Sequence, residues 1–467
     1  MHQRTIVWAV TLGVITLMFL ELPQIVARQD TVLQTYGALV EVDALARQQF
    51  VHAIRDDRLV DGAIRGMMQA LDPYSGYVAP DELADFRRRR MGEYTGIGVE
   101  LGMRDGALTV IAPIDGSPAA HAGAAAGDVI RSIDGVPVRG MSVFDVDALL
   151  HGAPGTRVVL SVRRRGVDGT VPLTITRGVV RWRTVRGCRR SASGGWEYML
   201  DPRRRIGYVR ISDFGERVSR EFDAALNALH AAGAEGLIID LRFNPGGLMA
   251  EAVKLVDRFV RDGLIVSTVT RRKAVAAYHA TPEGTDTEME LAVLINGGSA
   301  SSSEIVAGSL QDRGRAIIVG TRSFGKGSAQ QLMYLKERAA AIKLTVAHYR
   351  LPSGRIIHRA ADAPPSAPWG ILPDIPVPLD GAAVAALQRS RAALDRAAAV
   401  EPRAEASGPS GVREESGVSG VSAPPAGGCT DPGLLEPAAG MILADCQLVA
   451  AHRVLAERLA RRTASAP

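Results

Sequence analysis

The stretch Gly236-Leu237-Ile238-Ile239-Asp240-Leu241-Arg242-Phe243-Asn244-Pro245-Gly246-Gly247 decides how the chain is read. Its first half is a short apolar run without polar alternation, the pattern of a strand buried on both faces of a sheet. Its second half, with Asn244, Pro245 and two glycines, is a sharp loop. Asp240, Arg242 and the glycines therefore stand at the carboxyl end of a buried strand, where α/β sheets place their sites.

Outward from this stretch the α/β pattern continues. Ile206–Ile211 reads as a strand and Val218–Ala232 as an amphipathic helix, both preceding it. A helix over Ala250–Arg261 and a buried strand over Leu291–Ile295 follow. Alternation of this kind indicates a layered α/β domain. Two further loops leave this domain with chemistry-bearing side chains: Asn296-Gly297-Gly298-Ser299-Ala300-Ser301-Ser302-Ser303-Glu304-Ile305, and Gly320-Thr321-Arg322-Ser323-Phe324-Gly325-Lys326-Gly327-Ser328-Ala329-Gln330.

The last loop imitates a phosphate-binding loop, with Asp240 as the magnesium partner. A P-loop needs Ser or Thr directly after its lysine, and here Gly327 stands there. The Asp-bearing strand also comes before the lysine loop, the reverse of the usual order. A serine–lysine reading fits better. A serine hydroxyl becomes a good nucleophile only when a base takes its proton. A lysine amine serves if its pKa falls from about 10.4 to roughly 7–8, which desolvation can bring about. Arginine does not deprotonate in proteins. The chain has only five lysines among 55 basic residues, so a lysine inside Phe324-Gly325-Lys326-Gly327 suits a need for a titratable amine.

Before the α/β region lies a series of short strands punctuated by Gly and Pro: Gly96–Leu101, Leu108–Ile111, Asp128–Ile133 and Arg157–Val162, with one helix near Val143–Leu150. Together with Ser117-Pro118-Ala119-Ala120, Gly127-Asp128-Val129-Ile130 and Asp134-Gly135, this content resembles a PDZ domain over Tyr94–Gly178. Gly96, Ile97, Gly98 and Val99 stand where that family binds a terminal carboxylate. Glycines there let backbone N–H groups converge on the anion, and an edge strand accepts the peptide by β-augmentation.

Taken in order, the three loops resemble those of the carboxy-terminal processing proteases, the S41 serine endopeptidases with a Ser/Lys pair. The resemblance runs from the N-terminal helices through Pro378 and includes Gly66-Met67-Met68-Gln69-Ala70-Leu71-Asp72-Pro73-Tyr74-Ser75 before the PDZ-like region and Pro352-Ser353-Gly354-Arg355 with Pro373-Asp374-Ile375 after the catalytic loops. In that family the nucleophile lies three residues before a glutamate and 25 before the lysine, which selects Ser301, ahead of Glu304 and Lys326. The resemblance also implies that Gln330 orients the amine, and that the backbone N–H groups of Gly247 and Ser302 form the oxyanion hole. Ser302 replaces the family's usual alanine, so its hydroxyl could crowd that hole. A binding protein that keeps the fold without turnover is the reading this would favour. Glu304 is expected to be a structural carboxylate at a helix start, and Ser299 and Ser303 to be capping hydroxyls. The resemblance implies no cofactor and no metal, protein substrates held by their C-terminal tails, an activating adaptor, and a homodimer through terminal helices.

The 467 residues allow about three domains. A hydrophobic share of 46% excludes wholesale disorder, and a net charge of +5 gives no ground for a nucleic-acid partner. Three cysteines at positions 188, 429 and 446 exclude a disulfide-built scaffold. The expected architecture is multidomain α+β. Residues 1–27 are expected to be a signal peptide or signal anchor, with an apolar run over Ile6–Leu20 behind Arg4, which places the rest in an extracytoplasmic, periplasmic compartment, attached to the inner membrane where the segment is kept as an anchor. A helical region (28–93), the PDZ domain (94–178), the peptidase domain (179–380) and a helical extension (381–399) follow. Arg87–Arg90 reads as a solvated helix face. A flexible linker (400–428) leads to a C-terminal helical segment (429–467), where Cys429 and Cys446 either form a disulfide or remain thiols.

Overall fold

The computed structural model describes residues 36–396 and 445–464, less residue 55, short stretches between 81 and 194, residue 274, and most of 361–366. The targeting segment, Arg87–Arg90, the linker and Cys429 lie outside the described residues, as does much of the helix expected at Val143–Leu150. No described helix is long and apolar enough to cross a membrane. The chain divides into two compact units, Met1–Pro80 with Leu332–Leu344, and Asp81–Gln331 with Thr345–Pro467.

In the first unit, helices cover 36–49 and Asp56–Gln69. The turn at Asp72 follows because Pro73 disfavours helix there and the Asp72 carboxylate accepts from the Tyr74 and Ser75 N–H groups at 2.7 and 2.8 Å. The short strand Gly76–Val78 then pairs antiparallel with Ala341–Lys343, and Tyr77, Ala79 and Ala340 bury a small core.

The second unit holds two cores. The PDZ-like one is a six-stranded antiparallel sheet built on Val110, Ile130, Val158, Leu160, Val162 and Ile175. Asp134 (φ 49°) and Gly135 (φ 81°) make the two-residue turn between Val129–Ile133 and Val136–Pro137. Asp128 is a buried structural carboxylate clamped by Arg164 at 2.7 and 2.8 Å.

The other core centres on four neighbouring parallel strands: β1 (Ile206–Ile211), β2 (Gly236–Asp240), β3 (Glu290–Ile295) and β4 (Ala316–Gly320). Crossover helices α1 (Val218–Ala231), α2 (Met249–Asp257) and α3 (Ser302–Asp312) connect them. The period-2 alternation sends Leu237, Ile239, Leu291 and Val293 toward these helices. It sends Tyr208, Ile238, Ala292 and Leu294 to the opposite face. That face is covered by the tail helix α5 (Cys446–Ala464) through Leu448, Ala451, Leu455 and Leu459. Helix α4 (Gly381–Arg396) falls within the expected extension. Also in the second unit, Leu264–Thr270 pairs antiparallel with Val275–His279 and with residues 347–350, a further sheet that the sequence reading did not anticipate.

Candidate active site

Because β2, β3 and β4 are parallel neighbours, the three motif loops leave the same end of the sheet side by side. The turn after β2 is built on Asn244. Its amide donates to the Ile211 carbonyl at 2.9 Å and its side-chain oxygen accepts from the Gly246 N–H at 2.8 Å. Its backbone carbonyl accepts from the Ala300 N–H at 3.0 Å and the Ser303 hydroxyl at 2.9 Å. Ser299 Oγ donates to the Leu241 carbonyl at 2.8 Å. Ser303 and Ser299 are thus not helix caps, a correction to the sequence reading. Each ties the loop after β3 to the loop after β2.

Gly246 is required at its position. At φ 94° an added Cβ would stand 2.6 Å from the Ala300 carbonyl oxygen and 2.7 Å from Ser301 Cβ. This close approach brings the Gly246-Gly247 backbone onto the residue expected as nucleophile. Ser301 itself is 5% exposed, at φ 55° and ψ −114°, immediately before α3. Such a conformation in a non-glycine residue costs on the order of 1–3 kcal/mol and persists only where its surroundings over-determine it.

Glu304 supplies much of that determination. Its carboxylate is fully buried and takes four donors: Ser323 Oγ (2.5 Å) and the Gly325 N–H (2.7 Å) on Oε1, and the N–H groups of Ser301 (2.9 Å) and Lys326 (2.8 Å) on Oε2. Burial raises its pKa above the ordinary value, and the four donors only partly offset this. Glu304 therefore joins the start of α3 to the lysine loop, in line with the expected structural carboxylate. Gly327 completes the loop, since a Cβ there would lie 2.4 Å from the His358 backbone nitrogen.

Gln330 donates its amide to Ser328 Oγ at 2.9 Å, the Ser328 carbonyl at 3.2 Å and Thr345 Oγ1 at 3.2 Å. Both amide hydrogens are committed to these oxygens, leaving the side-chain carbonyl as its free polar edge. Tyr349, missed in the sequence, has its phenol beside the Ser301 side chain. It reaches there because its N–H donates to the Gly327 carbonyl at 2.8 Å. Burial raises the phenol's pKa, partly offset by Ser301.

The Ser302 hydroxyl does not enter the space beside Ser301. It donates to the Gly247 carbonyl at 3.0 Å. The same glycine bridges Phe214 through the Gly246 carbonyl and the Leu248 N–H, which leaves the Gly247 N–H outside that bridge. As the first residue of α3, Ser302 has an N–H with no helical acceptor.

Asp240 is not available to a metal ion. Arg242 takes it at 2.6–3.2 Å, Tyr208 Oη donates at 2.8 Å, and Arg391 also pairs with it. Burial alone would raise its pKa, yet the two guanidinium groups hold the carboxyl well below the usual range. No group of three or more possible metal-ligating side chains occurs among the described residues.

In the PDZ-like region, Gly96 ends the strand Glu93–Gly96, and Gly98 sits at φ 80° with Ser117 Cβ 2.3 Å from where its own Cβ would be. The carbonyls of Ile97 and Gly98 accept from the Ala119 N–H at 2.8 Å and Ser117 Oγ at 2.9 Å. Gly98 and Val99 line a small pocket with Tyr94, Ile97, Leu150 and His151.

Residues 205–377 match the model "Peptidase family S41", residues 109–164 match "PDZ domain", and residues 23–82 match "Activating protease CtpB N-terminal domain". A carboxy-terminal-processing protease of Bartonella bacilliformis is 38% identical over 336 residues, 71% of this chain and 72% of that protein. The carboxy-terminal processing protease CtpA of Bacillus subtilis is 34% identical over 66% of this chain and 64% of its own. A solved structure titled photosystem II D1 C-terminal processing protease is 31% identical, covering 75% of this chain and 91% of its own, with a TM-score of 0.41. The chain belongs to peptidase family S41, as a serine-type peptidase of the carboxy-terminal processing kind.

Proposed function

We propose that this peptidase is exported and cleaves protein substrates near their C-termini through an acyl-enzyme on Ser301. Lys326 Nζ accepts the hydroxyl proton as Ser301 Oγ attacks the scissile carbonyl carbon. The oxyanion that forms is held by the N–H groups of Gly247 and Ser302. Collapse breaks the C–N bond, and the leaving amine takes the proton from Lys326. Water then attacks the acyl-enzyme carbonyl, giving a proton to Lys326; collapse breaks the C–Oγ bond, and Lys326 returns the proton to Ser301 Oγ. Gln330, with its amide fixed by Ser328 and Thr345, turns its carbonyl oxygen to the amine.

The observation that carries this reading is the shared oxygen of Glu304, which brings the backbone of Ser301 and of Lys326 to one point. The orientation of Ser302 supports turnover over the binding-only alternative, since its hydroxyl ties Gly247 instead of filling the oxyanion site. Capture of a substrate's terminal carboxylate by Gly96–Val99 is supported by the anchored carbonyls of that loop and the adjoining pocket. Export rests on the apolar run Ile6–Leu20 behind Arg4. That run also carries the proposed membrane attachment, and the matched N-terminal domain supports an activating adaptor.

Cleavage of an unstructured protein by the wild type and by Ser301→Ala tests the reading. Turnover by the wild type alone is expected; equal rates for the two would remove it.

A further inference from the structure

The tail of the chain lies outside the region matched to the peptidase family, yet it supplies side chains to the loop that carries Gly247. Arg242 has a fully buried guanidinium between two carboxylates. Asp240 accepts from Nε and Nη2 on one side. On the other, Asp445 accepts from Nη1 and Nη2 at 2.7 Å each, a two-pronged pair. Gln447 accepts from Nη1 at 3.1 Å and donates to the Val377 carbonyl at 2.7 Å. Asp240 also serves Arg391 and Tyr208, so among the described residues Asp445 is the carboxylate that Arg242 shares with no other cation. Asp445 accepts from the Leu448 N–H at 3.1 Å as well, which starts α5, and α5 is seated on the sheet by Leu448, Leu455 and Leu459. The neighbouring Cys446 is in a disulfide.

The residue after Arg242 is Phe243, held at φ 64°, and Asn244 and the two glycines follow. A strained residue keeps its conformation only while its neighbours are fixed. A buried cation that loses one of two carboxylates moves toward the other or draws in water. We propose that Asp445 is a positioning residue for catalysis: with the tail docked, its pair with Arg242 holds the 243–247 loop so that Gly247 presents its N–H to the oxyanion. This rests on the oxyanion role of Gly247 given above. A catalytic loop near the middle of the chain is in this way completed by a segment some two hundred residues downstream.

Asp445→Asn in the full chain removes the charge and keeps the shape. The expected result is a kcat on a short peptide lowered about 10- to 100-fold, with KM within about twofold, since misplacing a catalytic group slows the chemical step. Labelling of Ser301 by a fluorophosphonate slows in parallel, and Asp445→Glu recovers part of the loss. A folded Asp445→Asn protein with wild-type kcat overturns the proposal. Where Asp445→Asn does not fold, the double variant Arg242→Met/Asp445→Leu replaces the pair with apolar groups that pack without charge. Wild-type kcat in that variant also overturns it, and a lowered kcat with unchanged KM supports it. Failure of the wild type to label at Ser301 would instead count against the nucleophile assignment.

Discussion

Ser301 and Lys326 donate their backbone N–H groups to one oxygen, Oε2 of Glu304, at 2.9 and 2.8 Å. Two loops from different strands are thereby fixed by a single carboxylate. Glu304→Gln puts an amide NH2 where one of the two acceptor oxygens now stands, facing donors. Each unsatisfied buried donor costs about 1–3 kcal/mol. The expected result is a lower melting temperature and a kcat reduced about 100-fold. Thermal unfolding and peptide cleavage measure both, and near-wild-type values would show that Glu304 does not organise the site.

Ser302→Ala removes the hydroxyl bond to the Gly247 carbonyl. The expected cost is about 0.5–1.5 kcal/mol, with a kcat loss of up to about tenfold. A rise in kcat would mean that the hydroxyl hinders the oxyanion site.

Gly98 has no room for a side chain, because Ser117 Cβ would lie 2.3 Å away and φ is 80°. Gly98→Val is expected to impair cleavage of a protein ending in a free carboxylate more than cleavage of a short internal peptide. Equal losses on both substrates would argue against tail capture by this loop.

Tail docking carries a pH signature. His452 is fully buried, with Nε2 donating to Asp201 Oδ2 at 2.9 Å and Nδ1 without a hydrogen-bond partner. Burial lowers the imidazole's pKa below 6.5, against the opposing pull of Asp201. The folded protein thus holds His452 neutral where the unfolded chain is protonated. Stability from this group is complete above pH about 6.5 and is lost as pH falls toward the folded-state value. His452→Gln should flatten the fall in urea-unfolding free energy between pH 7 and 5. An unchanged slope would place the acid sensitivity elsewhere.

What the sequence made legible was local. The run Gly236–Ile239 reads as a strand because its neighbours on both faces are apolar, and the spacing of Ser301, Glu304 and Lys326 lies within two adjacent loops. The contacts that refine the site join distant positions. Asp445 meets Arg242, and Tyr349 meets Ser301, with no shared periodicity to announce either pair. Ser299 and Ser303 resemble caps in a serine-rich helix start, yet their acceptors come from Leu241 and Asn244, which only the parallel strand order brings near. The direction of the Ser302 hydroxyl likewise depends on where Gly247 folds back. Cys188 is a free, buried thiol whose pKa burial pushes up to about 11.

The most direct measurement is covalent labelling of the wild type, Ser301→Ala and Lys326→Ala with a fluorophosphonate, followed by peptide mapping. The account predicts one labelled residue, Ser301, in the wild type, none in Ser301→Ala, and labelling slowed by at least about 100-fold in Lys326→Ala. Label on another serine, or full-speed labelling without Lys326, would contradict it.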